Sequence, residues 1–344
     1  MTAGRKLVPL AEARLPVYAG IDLGGTNIKA ALVDDEGRLL AFHTEPTHAD
    51  RGPEDTAARM GGTVRLLAAS AGLAAADIAR VGLGTPGPHD LRRGLILRAG
   101  NLPGWDNFPV RDRVAAHCGH AVTYANDANA AAYGEFWVGS GREYSSLILL
   151  TLGTGVGGGI IIGDTNVEGA HSHGSECGHV IVDTSPTART CPFGHAGDIE
   201  AYASATALVA AAREALAAGG RGPLAAAVAA GERLTPIVIA RAAAAGDELA
   251  RGLILDAARW LGIGVVSLMH TIDPEAVILG GAMTFGGEAD PIGRAFIDRV
   301  RAEVRARAFP VPAERTVIRY AELGGDAGSI GAAGLARIDH RRGG

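Results

Sequence analysis

An α/β fold of two domains is the architecture this sequence predicts, on three observations. The chain is 344 residues long, more than one ordinary hydrophobic core encloses, so two domains of roughly 150 to 180 residues are the expected division. Short, β-branched apolar runs alternate with alanine-rich stretches of helical length, the sign of strands separated by helices. The third observation is internal. The segment Val17 to Glu45 is echoed at Ser145 to Ala170, about 130 residues later, as a repeated structural unit would be.

Each element follows from local chemistry. In VYAGIDLGGTNIKAALVDDEGRLLAFHTE, Gly24-Gly25 and Asp35-Glu36-Gly37 punctuate apolar runs, which reads as consecutive antiparallel strands. A helix over Glu54–Ser70, a strand over Arg80–Gly84, a Pro86-Gly87-Pro88 loop, a strand at Val122–Tyr124 and an alanine-rich helix over Asp127–Val138 come next. SSLILLTLGTGVGGGIIIGDTNVEGA then repeats the plan of strand, Gly/Thr turn, strand and turn. His171–Glu200 is a polar loop region, and Ala201–Ala217 and Thr235–His270 have helical composition and length. A strand in Pro274–Met283, a helix over Asp290–Arg307, a strand over Thr316–Ala321 and the small-residue helix GGDAGSIGAAGLARI complete the chain. The expected boundary lies after Val138, giving domains 1–138 and 139–344, with the final helix free to pack back on the first.

Composition excludes several classes. Glycine at 50 residues, 47% hydrophobic and 20% charged content describe a globular chain rich in tight turns, neither disordered nor collagenous. With 32 basic against 37 acidic residues, a formal charge of −5 argues against nucleic acid as a partner. Cys118, Cys177 and Cys191 are too few for a disulfide scaffold and fit a reducing cytosol. MTAGRKLVPLAEARLP lacks the apolar segment of a secretory signal. Ser145–Gly163 carries no charge, but its GTGVGGG interrupts any spanning helix. A cytoplasmic protein without a membrane segment is the expectation.

The two Gly/Thr turns place amides and hydroxyls at strand ends, chemistry suited to phosphate oxygens, although a tight hairpin uses the same residues. Gly153-Thr154-Gly155-Val156-Gly157-Gly158 matches the GxGxxG dinucleotide pattern, but a strand, Gly159–Gly163, follows it where that pattern needs a helix. No GxxxxGK[ST] loop occurs, which excludes a P-loop NTPase.

DLGGTNIK (22–29), NDANAAAYGE (126–135), LTLGTGVGGG (150–159), EGAHSHGSECGH (168–179), ILGGAM (278–283) and LGGDAGSIGAA (323–333) resemble, in order and spacing, the ROK family of sugar kinases and related repressors. The resemblance spans about Val17 to Leu335. It implies an actin-like ATPase (ribonuclease H-like) fold, two domains of duplicated origin with nucleotide and sugar in a central cleft, and ATP and Mg²⁺ as cofactors. Asp22, Gly24, Gly25 and Thr26 correspond to the first phosphate loop, with Asp22 near the Mg²⁺. Thr151, Gly153, Thr154 and Gly155 correspond to the second, and Gly280 and Gly281 to the adenosine contact. Lys29 is a phosphate partner or a solvated strand residue.

Asn126-Asp127 follows a strand and opens a helix, where aspartate commonly caps. The resemblance makes Asp127 the general base toward the sugar hydroxyl, and proximity to a helix N-terminus favours the ionised form such a base needs. It assigns sugar contacts to Asn101, Asn126, Asp127, Glu176, His179 and Glu200, with Gly87 shaping the loop beneath. GTPGP, NLPGW and EAYASATAL look most like the glucokinase branch, so transfer from ATP to the 6-hydroxyl of D-glucose is expected. N-acetylmannosamine, N-acetylglucosamine, fructose and allose are alternative acceptors.

Repressors of the family carry a winged helix-turn-helix before the DxGGT strand; sixteen residues precede Val17 here, which disfavours that reading. A metal hydrolase built on His171, His173, Cys177 and His179 is disfavoured too, for want of a second carboxylate pattern. Family kinases are commonly homodimers or homotetramers, and the alanine-rich helices after Ala201 offer surface for such pairing. The chain departs from its family at the zinc site, which uses one histidine and three cysteines of CxCGxxGCxE. Here Phe193 stands at the second cysteine and Asp198 at the third. Candidates His179, Cys191 and Asp198 remain, with His195 or Cys177 to complete four. Zinc is expected to be absent or weakly held, with Phe193 as an apolar plug.

Overall fold

The computed structural model describes residues 5–98 and 102–343. Strands β1 (Val17–Leu23), β2 (Asn27–Val33) and β3 (Leu39–Pro46) are antiparallel neighbours. Helix α1 (Pro53–Ser70), β4 (Ile78–Thr85), the short pair β5 (His89–Asp90) and β6 (Leu95–Ile96), α2 (Val110–Cys118), β7 (Val122–Asn126) and α3 (Asp127–Val138) follow. Next come β8 (Ser146–Leu152), β9 (Val156–Ile162) and β10 (Thr165–Asn166). Beyond the polar loop lie α4 (Glu200–Ala203), α5 (Ala205–Ala217), α6 (Pro223–Ala229), α7 (Pro236–Ala244) and α8 (Glu248–Ile272). The chain ends with β11 (Ala276–Gly280), α9 (Pro291–Arg307), α10 (Pro310–Arg315), β12 (Val317–Tyr320) and α11 (Ala327–Arg341).

The echo read in the sequence is an echo of topology. One five-stranded sheet has the order β3-β2-β1-β4-β7 and the other β10-β9-β8-β11-β12. In the first, β4 and β7 add to β1 in parallel; in the second, β11 and β12 add to β8 in parallel. Asp22 pairs with Gly84 and Thr85 with Asn126, while Gly280 pairs with Thr151. Each set of sequence-predicted residues therefore stands at the carboxyl ends of parallel strands, where open α/β sheets bind ligands.

By its contacts the chain divides into two compact units, one of Met1–Ser145, Gly159–Ser175 and Glu322–Gly344 and one of Ser146–Gly158 and Glu176–Ala321. In the first, alternation along β1 splits the side chains between two layers. Val17, Ala19, Ile21 and Leu23 face a core with Met60, Val64 and Leu67 of α1 and Val110 and Val114 of α2, and Tyr18 packs with Ile330, Ala333 and Ala336 of α11. On that second face α11 approaches main chain to main chain. A Cβ on Gly82 would stand 1.8 Å from the Ala332 carbonyl oxygen, and one on Gly331 1.7 Å from that of Ala130 in α3. In the second unit α8 packs along α9, burying Ile254, Leu261, Val265 and Met269 on one helix and Phe296, Ile297, Val300 and Val304 on the other.

Some helical boundaries differ from the expectation. The stretch from Ala201 breaks at Ser204, whose Oγ accepts the Ala207 N–H at 3.1 Å and starts α5. Thr235–His270 breaks at Gly246 (φ 87°), and buried Asp247 then caps α8 at the Ala250 N–H (3.0 Å) while its other oxygen takes the Leu224 N–H of α6 (2.7 Å). Ser145–Gly163 forms β8 and β9. Among the described residues α8 alone is long and apolar enough to cross a membrane, with just over half of its apolar window buried in the fold.

The close approach at Gly82 has a measurable consequence. Gly82→Ala should lower stability by about 1–3 kcal/mol, the usual cost of overpacking. Gly62→Ala in α1, where the nearest atom to a new Cβ is a flexible arginine end at 3.8 Å, should be neutral or stabilising by up to about 1 kcal/mol. Urea unfolding of both variants checks this; equal effects would refute the packing account.

Candidate active site

In the first unit, the turn after β1 is closed by the Gly24 N–H on the Asn27 carbonyl at 2.9 Å. Fully buried Thr47 holds it from behind, its Oγ donating to the Gly24 carbonyl (2.6 Å) and its N–H to that of Thr26 (2.8 Å). Gly25 and Thr26 stay exposed on the rim. Thr47 was not singled out in the sequence, since a threonine at a strand end carries no distinguishing pattern. Burial pushes the Asp22 carboxyl up to about 6, against the attraction of Lys29. Lys29 Nζ donates to the Gly325 carbonyl at 2.7 Å in an exposed setting.

At the end of β7 the helix cap is Asn126. Its Oδ1 accepts from the N–H groups of Ala128 (2.8 Å) and Asn129 (3.2 Å), so its amide nitrogen is the end available to a ligand. Asp127 becomes the first residue of α3, with its Oδ1 taking the Ala128 N–H at 2.8 Å. Gly87 (φ 95°) turns the loop after β4. Beneath it Thr85 Oγ lies 2.9 Å from both His89 Nε2 and the Tyr124 hydroxyl, and burial pushes His89 down to about 4, leaving a neutral ring. Asn101 lies outside the described residues.

In the second unit, the loop from Thr151 to Gly155 is tied to the start of α5: the Ala205 N–H donates to the Gly153 carbonyl (2.9 Å) and Thr206 Oγ to that of Thr154 (2.8 Å). Buried Glu200 accepts the Val156 N–H at 2.9 Å, and burial raises its pKa. Val156 also seats the turn of Glu176 and His179, because a Cβ on Gly178 would lie 2.0 Å from the Val156 carbonyl oxygen. The structure thus brings Glu176, His179, Glu200 and the Thr151–Gly155 loop into one piece. Gly281 (φ 90°) passes so close to Leu152 that a Cβ would lie 2.4 Å from its carbonyl oxygen.

His179 Nδ1 meets the buried carboxylate of Asp198 at 2.8 Å. His179, Cys191, His195 and Asp198 each bring one ligand atom within 4.8 Å of the others, a donor set compatible with a divalent metal. Phe193 is no plug, for it is 56% exposed and only sets its ring edge-on to His179, 5.4 Å between centroids. Cys177 stays outside the cluster, its thiol pushed up to about 12 by burial. His171 and His173 are also outside it, with His173 Nδ1 bonded instead to the His171 carbonyl.

The sequence profile described as "ROK family" matches residues 18–338. The chain is 36% identical over 323 residues to a glucokinase of Streptomyces coelicolor, covering 92% of this chain and 96% of that one. Among solved structures it resembles a ROK hexokinase from Thermus thermophilus (33% identity, TM-score 0.78, covering 95% and 99%). It also resembles a ROK family glucokinase from Streptomyces griseus solved with glucose and AMPPNP (34% identity, TM-score 0.71, covering 94% and 99%).

Asp22 should leave a signature in stability against pH. Its carboxyl titrates at about 6 when folded and near 3.8 when unfolded, so the folded chain holds that proton more tightly. The contribution is whole below the unfolded value and is lost as pH rises through 6. Without divalent cations, Asp22→Asn should gain about 1 kcal/mol on the unsubstituted protein between pH 5 and pH 8. Urea titrations at the two pH values check it, and an unchanged gap would show that Asp22 does not titrate there.

Proposed function

The chain belongs to the ROK family, and on that footing we propose that it is an ATP-dependent hexose kinase that phosphorylates the 6-hydroxyl of D-glucose. The observation that carries the reading is the repeated placement of a Gly/Thr loop after the first strand of two sheets of identical order, with a carboxylate, Asp127, opening the helix after β7.

Phosphoryl transfer needs positioning and charge neutralisation more than covalent help. The 6-hydroxyl oxygen forms the new bond to the γ-phosphorus as the bond to ADP breaks, and Asp127 takes the hydroxyl proton. Glu176, His179, Glu200 and Asn126 orient the sugar hydroxyls, and Asn101 joins them by its place in the family pattern. The loops at Gly24–Thr26 and Thr151–Gly155 cradle the phosphates, with Lys29 near the first, and Gly280-Gly281 lies against the adenosine. Asp22, a carboxyl buried beside that first loop, fits a hydrated Mg²⁺, which when bound neutralises phosphate charge. By its resemblance to the family the assembly is a homodimer or homotetramer in a cytoplasmic setting, and light scattering at the mass of a single chain would refute that assembly.

A coupled ADP assay with ATP and Mg²⁺ on glucose, mannose, fructose, allose, N-acetylglucosamine and N-acetylmannosamine should show turnover with glucose foremost; none with any sugar would overturn the kinase reading. Asp127→Asn keeps the shape but removes the proton acceptor, so kcat should fall by about 10²–10⁴. Activity within a few-fold of the unsubstituted enzyme would reduce Asp127 to a structural role. Glu176→Gln should raise KM for the sugar and leave that for ATP nearly unchanged.

A further inference from the structure

The turn from Cys191 to Asp198 is built before any ion arrives. The Cys191 N–H donates to the His195 carbonyl at 2.9 Å and the Gly194 N–H to that of Cys191 at 2.9 Å, while Thr190 and Ala196 form a bridge. These contacts put Cys191 and His195 on one tight loop. Asp198 is fixed separately, by a bridge to Ile181 and by its Oδ1, which accepts the Ala201 N–H at 2.9 Å. Its Oδ2 is turned to His179 Nδ1. The result is two imidazoles, a thiol and a carboxylate within 4.8 Å of one another, with Asp198 and Cys191 buried. Phe193 and Asp198 stand where the family pattern has its second and third cysteines, and His195 comes from a position that pattern does not use.

We infer that these four side chains hold one divalent first-row ion, with His195 and Asp198 standing in for two thiolates, and that the ion decides which nitrogen of His179 carries the proton. The donor set suits a four-coordinate ion such as Zn²⁺ or Co²⁺. Once the Cys191 thiol has given its proton to solvent, one thiolate and one carboxylate balance the 2+ charge. Fewer thiolates make the ion exchangeable where a three-thiolate set would retain it.

The consequence for His179 follows from valence. In the metal-free chain Nδ1 faces a carboxylate, so in the neutral ring Nδ1 bears the proton and Nε2 offers a lone pair. An ion on that side takes the Nδ1 lone pair, and the ring proton resides on Nε2. The nitrogen turned away from Asp198 changes from acceptor to donor. Its meaning for a sugar hydroxyl rests on the kinase reading above, but ion uptake and proton position do not.

Co²⁺ titration of the chelator-treated full chain tests the site. Expected are one ion per chain, the visible bands of four-coordinate Co²⁺, and a near-ultraviolet thiolate-to-metal band that Cys191→Ser abolishes. His195→Ala, a change on an exposed turn, should keep the circular dichroism spectrum and weaken Co²⁺ binding by more than the about 10- to 100-fold typical of losing a mere outer-shell partner. With Zn²⁺, ¹⁵N NMR of the His179 ring should show the proton moving from Nδ1 to Nε2. No uptake, or a six-coordinate spectrum indifferent to His195→Ala, overturns the site; a proton that stays on Nδ1 in the loaded chain overturns the coupling. A four-coordinate spectrum in a protein inert toward every hexose would leave this inference standing and remove only the kinase reading.

Discussion

Helix α11 touches its surroundings through backbone, and the first unit is arranged around that contact. Where Gly82 and Gly331 permit carbonyl oxygens to occupy the space of a missing Cβ, the helix lies closer to the sheet and to α3 than any larger residue would permit. Buried Glu135 of α3 fixes the approach from the other side. It accepts the Ser140 N–H and hydroxyl at 2.8 Å each, the Leu323 N–H at 2.7 Å and the Glu322 N–H at 3.1 Å, which satisfies a buried charge that would otherwise be costly. The chain leading into α11 and the helix that begins with Asp127 are thereby one body. The start of α11 also lies on Asp22, since a Cβ on Gly328 would be 2.7 Å from the Asp22 Cγ. Fold and candidate chemistry thus both depend on glycines of α11, Gly331 and Gly328.

The second unit solves the corresponding problem with two carboxylates. Glu200 lies at the start of the short helix α4 and binds the amide of Val156, the first residue after the second Gly/Thr loop. Asp198, two residues earlier, caps the same helix at Ala201 and bonds to His179. A displacement at either carboxylate moves the loop, the turn carrying Glu176 and the His179 ring together. The residues that the resemblance assigns to sugar and to phosphate are mechanically joined in this unit, so Glu200 has a structural duty as well as the sugar contact assigned by resemblance.

Much of this was legible in the sequence because it depends on backbone geometry that few residues can satisfy. A Gly/Thr turn between β-branched runs, repeated far along the chain, leaves little choice but a repeated hairpin. Helix breaks were less legible. Ser204 and Gly246 sit in alanine-rich stretches whose composition favours helix throughout, and it is the cap at Ser204 and the two helices served by Asp247 that decide where each ends. The cap at α3 illustrates a finer limit, for Asn and Asp are both good capping residues and composition alone could not give the role to Asn126 over its neighbour. Short elements such as α2, α6 and the β5–β6 pair have too few residues to display a period. At the degenerate cysteine segment the ligand positions could be aligned, but not that the loop would turn Phe193 outward and bring His195 in.

Three carboxylates of the first unit, Asp22, Asp127 and Glu135, have different surroundings, and the difference suits the roles proposed for them. Asp22 lies between β1 and α11 opposite Lys29 of β2, and its raised pKa records desolvation that the attraction of Lys29 only partly offsets. Such a group is stabilised when a cation arrives, which makes it suited to holding one. Asp127 takes the opposite position, in the first turn of a helix whose free amides favour an anion and with one oxygen already bonded to the Ala128 N–H. Glu135 is satisfied by four donors and is confined to architecture. Burial alone therefore does not identify a catalytic acid or base here. The number and kind of donors around each carboxylate distinguish the proposed cation site and the proposed proton acceptor from the structural anchor Glu135.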